Sequence, residues 1–398
     1  MTTERSAADT AETATTPETV TVVAGRRRWW PWAILLVVVA LAVAAVTTWL
    51  VTKPHTKSPE AAARDDLKSA QLALINAPGV HYTGSLLGKD AKGARLDLRI
   101  TNDGVVSGTF DYGFGKTLTY LVVDGKAFLQ GGRDAWIAHG FIPESADWYQ
   151  NEQVLRTTDF LDVDVPAQLK PERLGRRLGP GPDQADPVTL GASTLIDGRS
   201  ADGVTSGGVT TYLVSGHARR ITDPNFDVLV TPMNADEVAQ FYRDLRPTVT
   251  ALDRADNTET RVSAETSWST PCGPACSALA VLTSTPQPFV SITLPGVTPH
   301  VDDIFVSYQM SLTIGGVETP RPDCSGVLQM PGNGTAPLSC GFTAGPGQTV
   351  SSTLTARPIL GRARADALVA AFDTAAKRSG ERAKCTITSL SESATPHC

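Results

Sequence analysis

Cysteine is missing from the first 271 residues of this 398-residue chain; all six cysteines, at 272, 276, 324, 340, 385 and 398, follow that point. Histidine is as scarce, with six residues scattered singly at 55, 81, 139, 217, 300 and 397. No Cys-x-x-Cys and no His-x-x-x-His occurs, so the ordinary zinc half-sites are lacking and no metal is expected. A Gly-x-Ser-x-Gly nucleophile elbow is absent too. Positive charge is in short supply: the net charge is −6, and the longest basic run is Arg26-Arg27-Arg28. That balance excludes a nucleic-acid surface. Aromatics make up only 6% of the chain, yet four of the seven tryptophans crowd into positions 29, 30, 32 and 49.

Those tryptophans bracket the one long apolar run, residues 33–51, interrupted only by Thr47, Thr48 and Trp49. About twenty helical residues span ~30 Å, the thickness of a bilayer's hydrocarbon core. Aromatic rings at both ends match the headgroup level, and the three preceding arginines hold the N-terminus in the cytoplasm. A cleaved signal peptide would be shorter and would place its small-x-small site beyond the apolar core, whereas here such residues (40–44) lie inside it. The expectation is a single-pass membrane anchor at 29–52, after a disordered cytoplasmic tail (1–28) and before a short linker (53–58). The bulk of the chain then lies outside the cytoplasm.

Six cysteines confined to one exported region read as a disulfide framework, and the nearest-neighbour set Cys272–Cys276, Cys324–Cys340 and Cys385–Cys398 is the expected pairing. The stretch WSTPCGPACS (268–277) resembles a thioredoxin-type dithiol, but its cysteines stand at i and i+4, not i and i+3. That spacing loses the helix N-terminus that stabilises a reactive thiolate, so a structural staple is expected instead.

Beyond the membrane segment, Ser58-Pro59-Glu60 opens a helix that Asn76-Ala77-Pro78-Gly79 closes. The period then changes from helix to strand. Residues 80–87, 94–101, 105–112, 118–123 and 126–130 read as successive strands, joined by the hairpin signals Asn102-Asp103-Gly104 and Asp124-Gly125. Helical material at 143–154 and an irregular stretch at 166–187 interrupt this meander. Strands resume at 188–196, 209–215, 218–222 and 226–230, and Asn234 with Glu237 forms a capping-box signature for a helix over 234–245. Polar residues 251–265 read as a linker between a domain at 59–250 and a second at 266–398. The second carries strands at 277–285, 289–294, 304–314 and 349–357 and a late helix at 362–379. Its spacing predicts a small disulfide-bonded β-sandwich.

Little here calls for catalysis. Tyr112-Gly-Phe-Gly-Lys-Thr117 ends like a phosphate loop, but the required first glycine is Phe110 and the segment joins two strands. The acidic pairs Asp162/Asp164 and Asp302/Asp303 lack calcium-loop spacing. No catalytic residue and no cofactor is assigned.

The helix ending in Ala77-Pro-Gly-Val-His-Tyr-Thr-Gly84, the meander, Tyr120-Leu-Val-Val-Asp-Gly-Lys-Ala-Phe-Leu129 and Trp136 together resemble the LppX/LprG group of actinobacterial envelope lipoproteins, relatives of the LolA/LolB carriers. Thr211-Tyr-Leu-Val-Ser-Gly-His-Ala-Arg-Arg220 and the helix at 234–245 continue the likeness, which covers about residues 59–250. The resemblance implies an α+β fold, a curved antiparallel half-barrel roofed by helices, that holds acyl chains of lipid or lipoprotein between sheet and helices. By strand alternation, Tyr82, Leu86, Leu98, Ile100, Phe110, Tyr120, Val122 and Phe128 are expected to line that space, with Trp136 at its mouth. Unlike that family, this chain has an apolar run in place of a lipidated N-terminal cysteine and adds a cysteine-bearing C-terminal domain. The implied function is non-enzymatic lipid binding or presentation at a membrane. The competing expectation is an envelope sensor or scaffold that docks a protein partner through the C-terminal domain.

Overall fold

The structure is a computed structural model that describes residues 57–88, 93–156, 163–179, 188–268, 275–286, 303–343, 345 and 348–385. The expected anchor at 29–52, strand at 289–294, and Cys272 and Cys398 lie outside those residues. No helix among the described residues is long and apolar enough to cross a membrane. Ser58–Cys398 form one compact unit.

Helix α1 (Pro59–Asn76) starts as predicted, with Ser58 capping the Ala61 N–H and proline in the first turn. Strands β1 (Gly79–Leu86), β2 (Arg95–Thr101), β3 (Val106–Asp111), β4 (Thr117–Val123) and β5 (Lys126–Gly131) form the expected antiparallel meander. Asp124 and Gly125 adopt positive φ (51° and 70°), the two-residue turn that joins β4 to β5. Helices α2 (Arg133–His139) and α3 (Pro143–Trp148) follow, then β6 (Val154–Arg156). The stretch expected to be irregular instead holds α4 (Val165–Leu169) and α5 (Pro171–Arg177), each with its proline in the first turn.

The sheet is completed by β7 (Thr189–Leu190), β8 (Thr194–Ile196), β9 (Arg199–Ser206), β10 (Val209–Val214), β11 (His217–Thr222) and β12 (Phe226–Met233). Its order is β6-β5-β4-β3-β2-β1-β12-β11-β10-β9-β7, with β8 paired to β9. Sequence-distant β1 and β12 join the two halves antiparallel, from Gly79 opposite Met233 to Leu86 opposite Phe226. One face carries the main core beneath α1, α4 and α5. Gly175 permits the close crossing of α5 on α1, since a Cβ there would stand 2.8 Å from Ile75 Cγ1 and 2.9 Å from the Gln71 carbonyl. Buried Asn102 locks this corner: its amide donates to the Ile75 and Ala77 carbonyls (3.1 and 2.5 Å), and its oxygen accepts from the Glu172 N–H (2.8 Å).

The opposite face carries a second core. There α6 (Ala235–Thr250), with the capping box that Asn234 and Glu237 foretold, pairs with α7 (Arg362–Arg382). Tyr242 meets Phe372 edge to face, 5.1 Å between centroids. The late helix therefore leaves the C-terminal lobe and packs on the first sheet.

The C-terminal lobe is two three-stranded sheets. One orders β13 (Thr260–Trp268), β14 (Cys276–Pro286) and β17 (Thr335–Phe342); the other orders β16 (Val317–Met330), β15 (Ile304–Ile314) and β18 (Val350–Ile359). The disulfide Cys324–Cys340 joins β16 to β17 and so staples one sheet to the other. Cys276 and Cys385 are also disulfide-bonded.

Residues 251–265 are not a free linker. Asp256 and Asn257 are buried, and 260–265 belong to β13. The Asp256 N–H donates to the Gln153 carbonyl (2.7 Å) while its own carbonyl accepts from Leu155 N–H (2.9 Å). On the other side, the Asn257 N–H reaches the Pro358 carbonyl (3.0 Å) and the Leu360 N–H reaches the Ala255 carbonyl (2.9 Å). Main-chain hydrogen bonds thus seam the C-terminal lobe to the first sheet.

Candidate functional site

Strand register decides which side chains meet beneath the helices, because directly opposed residues in a sheet share a face. Tyr82 opposes Leu98, Leu98 opposes Gly108, Gly108 opposes Tyr120, and Tyr120 opposes Leu129. The next row runs Val80, Ile100, Val106, Val122 and Ala127. Tyr82, Leu86, Leu98, Ile100, Phe110, Tyr120 and Val122 accordingly converge in one cluster, all essentially without solvent exposure. They form packed interior, with the Phe110 and Tyr120 rings 5.1 Å apart.

Two expected positions need correction. Phe128 opposes Leu121 and Leu155, so it points through the sheet to the other core, against α6 and α7. The two-residue turn at Asp124-Gly125 sets this register, and it puts Leu129, not Phe128, beside Tyr120. Trp136 is not at a mouth: it is fully buried, its indole N–H donates to the Tyr149 carbonyl (3.0 Å), and Phe141 packs on its edge at 5.1 Å.

Open space lies farther along the same face. A cleft of about 470 Å³ separates the first two turns of α1 from β9 and β10. Ala62 and Ala63 form its helical wall, and Val204 and Leu213 its floor. Leu190, half exposed, closes one side. Asp66, Ser193, Asp202 and Ser215 ring it with polar groups. An apolar floor with a polar rim is the usual make-up of a small-molecule site. The small alanines matter, since they hold the helix surface back from the sheet.

Three hydroxyls on this face are buried and make no hydrogen bond among the described residues: Thr211 Oγ1, Ser206 Oγ and Tyr82 OH. Thr211 lies directly opposite Val204 of the cleft floor. Burial raises the Tyr82 phenol well above its ordinary range, so it stays protonated and keeps a hydrogen to donate. A buried polar group without a partner costs about 1–3 kcal/mol. Of the three, Thr211 lies nearest the cleft, while Tyr82 stands on β1, three strands away from β10.

The lining of this cleft went unread in the sequence. β9 contains Asp202-Gly203, which has the look of a hairpin turn, while the real turns are Asp197-Gly198 and Gly207-Gly208. Among the described residues, no group of three or more His, Cys, Asp or Glu is placed to hold a metal ion.

No family model matches the chain, and no curated protein matches it. Among solved structures, the crystal structure of LprF from Mycobacterium bovis is similar to 43% of this chain and 91% of its own, with 14% identity and a TM-score of 0.30.

Proposed function

We propose that this protein binds the acyl part of a lipid in the cleft between α1 and strands β9 and β10, and presents that lipid at the outer face of a membrane to which residues 29–52 anchor it. The observation that carries the reading is the cleft itself, with its Val204, Leu213 and alanine walls, its polar rim and the unpartnered Thr211 hydroxyl opposite Val204. Burial of methylenes is worth about 0.8 kcal/mol each, so four of them supply ~3 kcal/mol. Hydroxyls such as Thr211 Oγ1 suit an ester or headgroup oxygen at the end of the chain. No step of bond making or breaking is assigned, and the lipid leaves unchanged.

The test is native mass spectrometry of the full chain, purified from membranes in a mild detergent. Acyl lipid is expected to co-purify, and Leu213→Trp, which fills the cleft, is expected to reduce the bound fraction about tenfold or more. An empty wild-type protein, or lipid retained in full by Leu213→Trp, overturns the proposal.

A further inference from the structure

A second groove, of about 230 Å³, lies between α3 and the outer face of the sheet β16-β15-β18. Cross-strand register builds its base from two direct pairs, Ser307 opposite Arg357 and Gln309 opposite Thr355. Trp148, at the end of α3 and 46% exposed, forms a wall. The Ser307 and Thr355 hydroxyls, the Gln309 amide and the Trp148 indole make no hydrogen bond with any described residue. Free donors and acceptors are common on a surface, but four convergent ones beside an exposed indole form a recognition surface.

We propose that this groove binds a saccharide, independently of the lipid cleft. Three features choose that ligand class. First, the hydroxyl and amide lining offers donors and acceptors side by side, the complement of vicinal hydroxyls on a sugar ring. The exposed Trp148 ring suits the sugar ring's C–H side. Second, β15 is hydrogen-bonded to β16 and β18 on both sides, so at the groove's base it has no main-chain groups left to pair with an extended peptide.

Third, the groove's charge is internally balanced. The Arg357 guanidinium donates to Glu152 Oε1 at 2.8 Å and faces the buried Asp256 carboxylate at 3.7 Å. Burial holds Asp256 toward its neutral form, leaving one arginine against one glutamate and no surplus charge to draw a phosphate or a basic side chain. Held from the side by Glu152, the planar guanidinium is preorganised, with N–H groups left to meet hydroxyls. The volume is below the ~300–1,000 Å³ of ordinary drug-sized sites, which fits one sugar ring at a time.

The sugar can be a glycolipid headgroup or a free glycan, and one experiment separates them. The full chain in phosphatidylcholine nanodiscs is titrated with tetrasaccharides of glucose, mannose, galactose, arabinose and N-acetylglucosamine. Binding is followed by calorimetry and tryptophan fluorescence. At least one is expected to bind. Trp148→Ala is expected to weaken it about tenfold or more, Gln309→Ala about threefold or more, and Trp148→Phe less than Trp148→Ala. Competition by a galactosyl diacylglycerol doped into the nanodisc assigns the site to headgroups; its absence assigns free glycan. Silence across the panel, or binding that Trp148→Ala leaves unchanged, overturns the proposal. So does a groove that takes only charged peptides. Leu213→Trp, which acts on the other cleft, is expected to leave saccharide binding intact.

Discussion

The large sheet and the C-terminal pair of sheets are held together by different means. Beneath α1, α4 and α5 the sheet buries a continuous apolar cluster drawn from nearly every strand. Among the described residues, the C-terminal lobe buries two small clusters, of eight and five residues, and three of the eight are cysteines. Cores that small supply little hydrophobic stabilisation, and covalent staples are the common remedy. The disulfide Cys324–Cys340 sits where that argument wants it, between the two sheets of the sandwich. Charge and backbone tie the lobes together, through the Arg357–Glu152 ion pair and the main-chain bonds of Asp256 at the seam, and through α7 lying on the first sheet.

The largest effect tests the apolar half of the comparison. Trp136→Ala removes a fully buried indole and one of the two hydrogen bonds to the Tyr149 carbonyl, leaving that from the Glu152 N–H. A loss of about 3–5 kcal/mol is expected in urea unfolding. Since Ser58–Cys398 form one compact unit, the curve should keep a single transition. Two separate transitions in the wild type would mean that the seam does not couple the lobes.

The covalent half comes next. Replacing Cys324 and Cys340 together by serine opens a link spanning 16 residues in sequence. A loss of about 3 kcal/mol is expected. Hydrogen exchange should report it first at β14, β15 and β17, with β1 to β5 little changed. Equal loosening of both lobes would show that the staple serves the whole unit.

The meander's hairpins were legible because Asp124-Gly125 and Asn102-Asp103-Gly104 carry their turn geometry locally. Phe128 was misplaced because one strand was read alone, although the two-residue turn before it already fixes its partner as Leu121. α4 and α5 were hidden by proline, which reads as a breaker but here occupies first turns. β16 escaped notice for the same reason, since its Pro320 and Pro322 fall at a register irregularity of an edge strand. β13 is polar because most of its residues face solvent, so nothing apolar marked it. The late helix shows where local pattern stops. Its stripe of Ala365, Leu368 and Phe372 was readable, but its partner, α6 on another lobe, is a tertiary fact. The cleft beneath α1 was invisible for that reason as well, being a gap between α1 and strands more than a hundred residues away.

The seam yields a pH-dependent prediction. Burial pushes the Asp256 carboxyl up to about 7, against the attraction of Arg357 and with the repulsion of Glu152. Tyr149 lies on the same side, its phenol raised chiefly by burial and further by Asp256. The folded protein therefore holds this proton more tightly than the unfolded chain does. Stability tied to the proton is fully present below the ordinary carboxylate range and falls as pH rises toward about 7, levelling off above it. Asp256→Asn, a neutral isostere, should flatten that slope. At pH 8 it should exceed the wild type by about 1–3 kcal/mol in urea unfolding. A steeper slope in the variant would show that Asp256 works as an ionised partner of Arg357.

The smallest effect concerns the helix pair on the far face of the sheet. Asn234 accepts from the Glu237 N–H at 2.9 Å, and the Glu237 carboxylate accepts from the Asn234 N–H at 2.7 Å. Asn234→Ala removes one half of that reciprocal cap, at a cost of about 1 kcal/mol. Because α6 packs on α7, which follows directly from β18, the loss bears on how the lobes are joined. Faster exchange confined to the first turn of α6 would make the cap a local matter. Spread into α7 and the seam at Asp256, the same loss would show that the α6–α7 pair carries part of the coupling attributed above to the seam.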